Sequence, residues 1–306
     1  MNIDLSLTIA GVHFRNPVIA ASGTFGYGSE YEGLLDIAAL GGICTKGLTL
    51  KPRPGNIGRR IHETASGLMN SIGLENPGIS AFIEKELPAL RKLGPVVIAN
   101  LSGSDITEYA EGASLLGSSS IDLIELNISC PNVKSGGMAF GLDPQAAAEM
   151  TAAVRKAAPH KPLMVKLSPN APDIAAVAKA CINTGADALS LVNTFKALAI
   201  DIHGRKPVFD NISAGLSGPA VKPIALRMVW ELVRELREAK CSVPVVGLGG
   251  IACAADALEF LLAGAAAVQV GSATFAHPPA MNEVIAGIAS YMKEKGFSKL
   301  AELCIT

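Results

Sequence analysis

The sequence is poor in aromatic residues. Phe, Tyr and Trp make up 5% of its 306 residues, with a single Trp, while Gly alone contributes 31. A core filled by Ala, Gly and aliphatic side chains suits helices packed closely on a parallel sheet, not an all-β sandwich. Charge is sparse as well. Charged residues reach 17%, and 26 Lys+Arg against 27 Asp+Glu leave a net charge of -1. Without a basic excess a nucleic-acid partner is not expected. With 49% hydrophobic residues the chain is too apolar to be disordered. Long apolar runs are missing too. Although mean hydropathy is +0.37, no run approaches the roughly 18 uninterrupted residues of a membrane span. The first residues, from Met1 to Ser6, show no basic stretch followed by an apolar one, so no secretory signal is expected.

Cysteine pairs are also lacking. Cys44, Cys130, Cys181, Cys241, Cys253 and Cys304 form no C-x-x-C and no zinc or iron–sulfur spacing, so no metal site is expected. Cys44, Cys181 and Cys241 lie in apolar surroundings, which fits reduced thiols in a cytoplasmic protein.

What is present is repetition. Short apolar runs recur at Val18–Ala21, Gly42–Thr45, Val96–Asn100, Leu123–Ile128, Leu163–Leu167, Ala188–Val192, Val243–Leu248 and Ala267–Val270. Helical patterns follow several of them, at Thr107–Leu116, Pro144–Ala157, Asp173–Thr184 and Ala254–Ala263. Continuous apolar strands alternating with amphipathic helices indicate a parallel sheet covered on both faces. Eight such units predict an α/β fold, a (β/α)8 TIM barrel, formed by one domain over residues 1–306. Leu5–Phe14, turning at Ala10 and Gly11, reads as an N-terminal β-hairpin that closes the barrel's bottom. Three connections are longer than a barrel needs: Lys46–Gly78, Ser129–Asp143 and Asn193–Pro223. All follow strand ends and so fall on the catalytic face.

Polar residues gather at those ends. The last two strands run into Gly247-Leu248-Gly249-Gly250 and Gly271-Ser272-Ala273-Thr274. Such turns let backbone amides approach a phosphate closely, and barrel phosphate sites lie after strands 7 and 8. Lys46, Asn100, Asn127, Lys166, Asn193 and Thr194 mark other strand ends. Their amides suit a ring with carbonyl and N–H edges. Lys166 can be read as a Schiff-base lysine, as a positive charge beside a flavin pyrimidine, or as a lysine paired in the barrel core, though the sequence shows it no obvious partner. Cys130, in Ser129-Cys130-Pro131-Asn132, is open to reading as a nucleophile, a general base or an inert thiol. The five histidines are scattered and none ends a strand, which disfavours a relay for acyl chemistry. The Met69–Gly78 stretch can complete the mouth of the site, while Lys51–Asn56 reads as a solvated basic loop.

Together these motifs resemble the dihydroorotate dehydrogenase family over essentially the whole chain. The resemblance rests on Asn16-Pro17-Val18, Ala21-Ser22-Gly23, Thr45-Lys46-Gly47-Leu48-Thr49, Asn70-Ser71-Ile72-Gly73-Leu74 and Asn127-Ile128-Ser129-Cys130-Pro131-Asn132. It extends through Lys166-Leu167-Ser168-Pro169-Asn170, Asn193-Thr194, Gly215-Leu216-Ser217-Gly218 and the two glycine turns. Ser135-Gly136-Gly137-Met138-Ala139-Phe140-Gly141 is most similar to the NAD-linked branch, class 1B.

The resemblance implies bound FMN. It would be held by Ser22, Lys46, Gly47, Asn100, Asn127, Lys166, Val192, Gly218, Gly249, Gly250, Gly271 and Ser272. Dihydroorotate would contact Lys46, Asn70, Ser71, Ile72, Gly73, Leu74, Asn127, Asn193 and Thr194. Cys130 would be the catalytic base and Lys166 would stabilise charge on the flavin. Membrane-linked relatives use serine in place of this cysteine and carry an N-terminal membrane segment. The chain lacks cysteines for a cluster, so electrons bound for NAD+ would pass through a partner subunit carrying FAD and a [2Fe–2S] cluster, around a homodimer core within a heterotetramer. The alternatives are the fumarate-linked class 1A branch, a dihydropyrimidine dehydrogenase subunit and, from a different class, a barrel lyase using Lys166.

Overall fold

The computed structural model describes residues 3–129 and 140–304. Eight parallel strands close into a barrel: β1 (Val18–Ala20), β2 (Gly42–Cys44), β3 (Val96–Leu101), β4 (Leu123–Asn127), β5 (Leu163–Lys166), β6 (Ala188–Leu191), β7 (Val245–Leu248) and β8 (Ala267–Val270). Each strand pairs with its neighbour in sequence, and β8 pairs with β1. These are the eight runs expected from the sequence, and the closed barrel is the expected (β/α)8 architecture.

The helices wrap the outside: α1 (Ile106–Gly117), α2 (Pro144–Ala157), α3 (Ile174–Asn183), α4 (Lys222–Glu238), α5 (Ala254–Leu262) and α6 (Ala280–Lys295). The first three start the same way. Asp105, Asp143 and Asp173 each accept a hydrogen bond from the backbone N–H three residues on, satisfying a donor that the helix leaves open. α6 stops at Gly296, whose φ of 76° is the left-handed cap that glycine adopts without strain.

Two cores result. The larger lies between strands and helices. The second lies inside the barrel, where Ile19, Cys44, Ile98, Leu123, Met164, Ala188, Val246 and Ala267 point inward, one from each strand. Ile9 and Phe14 of the hairpin Leu7–Ile9/Val12–Phe14 join that cluster and are each 1% exposed. The hairpin therefore plugs one end of the barrel with apolar side chains.

At the other end the long connections after β2 and β6 are not simple loops. They meet in a four-stranded antiparallel sheet with the order Phe195–Leu198, Ser213–Ser217, Gly67–Asn70, Ile61–Thr64. Gly215 lies opposite Asn70, so chain segments far apart in sequence share one rim.

Candidate active site

Inside the barrel, the layer above the apolar floor is polar, and strand register explains why. Asn100 on β3 is registered with Glu125 on β4, Asn127 with Lys166 on β5, and Lys166 with Ser190 on β6. Glu125 is fully buried, accepts from four donors and pairs with one ammonium. Asn100 Nδ2 (2.8 Å), Cys44 Sγ (3.3 Å) and Lys166 Nζ (3.4 Å) reach Oε1. Gln269 Nε2 (2.7 Å) and Ser190 Oγ (3.2 Å) reach Oε2. Burial by itself raises a carboxyl's pKa. Here the Lys166 ammonium and the bonds from Gln269, Asn100 and Cys44 outweigh it and hold Glu125 below its ordinary value. The Cys44 thiol is pushed well above its usual range, first by burial and then by the neighbouring carboxylate.

Lys166 is thus a lysine paired in the barrel core, with a partner that the sequence did not reveal. It also lines the cavity. The two roles coexist: the residue is buried, paired with Glu125 and still part of the cavity wall.

Above this layer a cavity of about 330 Å3 opens at the C-terminal strand ends. The residues expected to hold FMN all line it. Ser22 follows β1, Lys46 and Gly47 follow β2, Val192 follows β6, Gly249 and Gly250 follow β7, and Gly271 and Ser272 follow β8. Asn100, Asn127 and Lys166 rise from the barrel itself, and Gly218 leads towards α4. The β7 turn is built for glycine. Gly249 has φ 128°, and a Cβ there would sit 2.6 Å from Ala225 Cβ. Gly250 has φ 77°, and its Cβ would sit 2.7 Å from Gly218 O.

The expected substrate residues divide. Lys46, Asn70, Ile72, Gly73, Leu74, Asn127, Asn193 and Thr194 line the cavity. Ser71 does not: its hydroxyl is buried and accepts from Asn56 Nδ2 (3.0 Å) and Asn211 Nδ2 (3.2 Å), which ties the Asn70–Leu74 loop to its neighbours. Cys130 lies outside the described residues. Its neighbour Ser129 lines the cavity.

The side-chain amides form a directed chain. Asn127 Nδ2 donates to Asn100 Oδ1 (3.4 Å), and Asn193 Nδ2 donates to Asn127 Oδ1 (3.3 Å). Asn193 Oδ1 accepts from the backbone N–H of Thr194 (2.8 Å). Backbone donors at one end and a carboxylate at the other fix which way every amide faces.

Sequence reading missed several wall residues. Arg53 and Asn56 belong to the stretch read as a solvated loop, yet both line the cavity, and Arg53 is held by Ser104 Oγ at 2.5 Å and Glu108 at 3.6 Å. Thr24, Glu75 and Gln269 were not singled out either. For Glu125 and Gln269 a signal existed. A carboxylate and an amide stand inside otherwise apolar strands, where a buried polar group needs a partner. Among the described residues there is no cluster of three or more His, Cys, Asp or Glu able to hold a metal ion, and no helix is long and apolar enough to cross a membrane.

The fold and site define a closed (β/α)8 barrel whose mouth combines glycine turns after β7 and β8 with a ring of amides. A sequence model of the family "Dihydroorotate dehydrogenase" matches residues 4–292, and the chain belongs to that family. It is 56% identical to the dihydroorotate dehydrogenase B (NAD(+)) catalytic subunit of Petrotoga mobilis, over 98% of each chain. It is 52% identical to the protein of that name from Geotalea daltonii, over 98% of this chain and 97% of the relative. A third, from Pelobacter propionicus, is 50% identical over 99% and 98% respectively.

Proposed function

We propose that this chain oxidises dihydroorotate to orotate in pyrimidine synthesis, with FMN in the barrel-mouth cavity and NAD+ as the final acceptor. The observation that carries the reading is the convergence on one cavity of every residue that the resemblance assigns to FMN.

The residues fit the group. Gln269 lines the cavity, and its buried Oε1 has no hydrogen-bond partner among the described residues. That acceptor suits the N–H of a bound pyrimidine ring. Gly249, Gly250, Gly271 and Ser272 would hold the phosphate, where only glycine tolerates the backbone of the β7 turn. Ser22, Gly47, Asn100, Asn127, Val192 and Gly218 would line the rest of the cofactor. FMN, when bound, supplies the acceptor for the hydride leaving C6 of dihydroorotate.

The remaining work falls to the chain. Lys46, Asn127, Asn193 and Thr194, with the Asn70–Leu74 loop, orient the substrate ring and its carboxylate, contributing the positional part of the rate. Within that loop Ser71 is an anchor, its hydroxyl accepting from Asn56 and Asn211. Cys130 takes the proton from C5 as general base. Lys166 places positive charge where electron density accumulates. Electrons then leave through a partner subunit carrying FAD and [2Fe–2S], around a homodimer of this chain in a heterotetramer that works in the cytoplasm.

The test is a visible spectrum of the purified chain followed by anaerobic dihydroorotate. A flavin band that bleaches is expected, and NAD+ reduction is expected only with the partner subunit present. No flavin after reconstitution with FMN refutes the proposal. A flavin band that dihydroorotate leaves unbleached refutes the substrate.

A further inference from the structure

One carboxylate beneath the cavity governs what the cavity floor offers. Glu125 is 0% exposed, contacts Asn100, Gln269 and Lys166, and does not itself line the cavity, whereas those three do. They come from β3, β8 and β5, so no local turn relates them.

A carboxylate can only accept hydrogen bonds. Asn100 must therefore turn its Nδ2 towards Glu125 and its Oδ1 away, and Gln269 must do the same with Nε2 and Oε1. The two amides are symmetric enough in shape to sit either way round, and Glu125 removes the choice. Asn100 Oδ1 is thereby turned to accept from Asn127 Nδ2, and the floor offers one unpartnered amide oxygen, Gln269 Oε1, and one ammonium. Its complement is an N–H beside a carbonyl, as on the edge of a pyrimidine dione.

We propose that Glu125 is a positioning residue: it orients the Asn100 and Gln269 amides and the Lys166 ammonium so that the floor presents the Gln269 acceptor and a positive charge to the pyrimidine ring of the cofactor. This rests on the FMN reading above. The groups that face Glu125 are Cys44 from β2, Asn100 from β3, Lys166 from β5, Ser190 from β6 and Gln269 from β8. Four are neutral donors and one is a cation. Replacing the carboxylate by an amide of the same shape presents an N–H2 to this all-donor ring, which forces at least one neighbour to flip or lose its bond.

The test compares Glu125→Gln and Glu125→Asp with the unsubstituted chain. E125Q is expected to weaken FMN binding, followed by fluorescence quenching, by about tenfold or more. It is also expected to shift the visible band of the FMN that still binds. E125D keeps the charge and is expected to restore most of the affinity. A stability loss in E125Q with unchanged FMN affinity and spectrum would overturn the proposal, because a merely structural role predicts that pattern. Equal loss of FMN in E125Q and E125D would also overturn it, since packing and not polarity would then govern. Side-chain amide NMR of the unsubstituted chain, with and without FMN, depends on neither variant folding. Slow solvent exchange of the Asn100 and Gln269 N–H2 groups is expected in both samples, and fast exchange without FMN would overturn the assignment. If the unsubstituted chain binds no FMN, the functional reading fails, while the amide exchange still decides the role of Glu125.

Discussion

Lys166→Met exposes the energetics of the buried layer. At 3.4 Å from Glu125 Oε1 and an effective dielectric of about 20, the Lys166 ammonium is attracted by about 5 kcal/mol. Methionine matches the length of the lysine stem but leaves a carboxylate at 0% exposure without its cation. Removing one partner of a buried pair costs about 3–5 kcal/mol. Four donors remain on Glu125, from Asn100, Gln269, Ser190 and Cys44, so the lower end, about 3 kcal/mol, is expected. The assay is urea unfolding at neutral pH without added FMN, with the slope m unchanged between variants. The pH dependence gives a second reading of the same pair. Because the Glu125 carboxyl is held below its ordinary value, its contribution to stability is present above the unfolded pKa of about 4.3 and is lost as pH falls through the folded value. The gap between the unsubstituted chain and K166M therefore narrows in acid. A loss below about 1 kcal/mol, the range of exposed pairs, or a gap that widens as pH falls, refutes the reasoning.

Other expectations are separate. Gly249→Ala places a Cβ 2.6 Å from Ala225 Cβ at φ 128°; a loss of about 2–4 kcal/mol in urea unfolding is expected, together with lower FMN content after gel filtration. Cys130→Ser is expected to slow anaerobic bleaching of the flavin by about 100-fold or more at neutral pH while FMN binding stays unchanged, measured by stopped-flow absorbance. Phe14→Ala opens the plugged end, where the ring is 1% exposed; about 3–5 kcal/mol of stability is lost, with kcat/KM for dihydroorotate close to that of the unsubstituted chain.

Much of the barrel was legible because strand burial and strand composition are the same fact. Val18–Ala20, Gly42–Cys44 and Val245–Leu248 are buried on both sides and read as continuous apolar runs. The hairpin was legible from Ala10-Gly11 between apolar stretches. The mouth residues were legible because Asn, Lys and Gly at the end of an apolar run have few structural reasons to be there. The rim sheet was not. Gly67–Asn70 and Ser213–Ser217 pair across a separation that no local pattern encodes, and their strands are short and only partly buried. Glu125 stood out among Leu123, Ile124 and Leu126 as a carboxylate in need of a partner, but the contact that makes Lys166 that partner exists only once β4 and β5 lie side by side. Arg53 and Asn56 were misread because proline and glycine around them imitate a solvent loop.

The rim sheet also dictates a sequence of events in time. A ribosome delivers Asn70 well before Gly215, 145 residues later, and β1 cannot meet β8 until residue 267 has emerged. Closing such long spans costs chain entropy before any contact returns it. The mouth of the barrel is therefore assembled late, when most of the wall already exists, and a chain halted before Ser213 would carry three of the four rim strands without the one that joins them, over an open sheet.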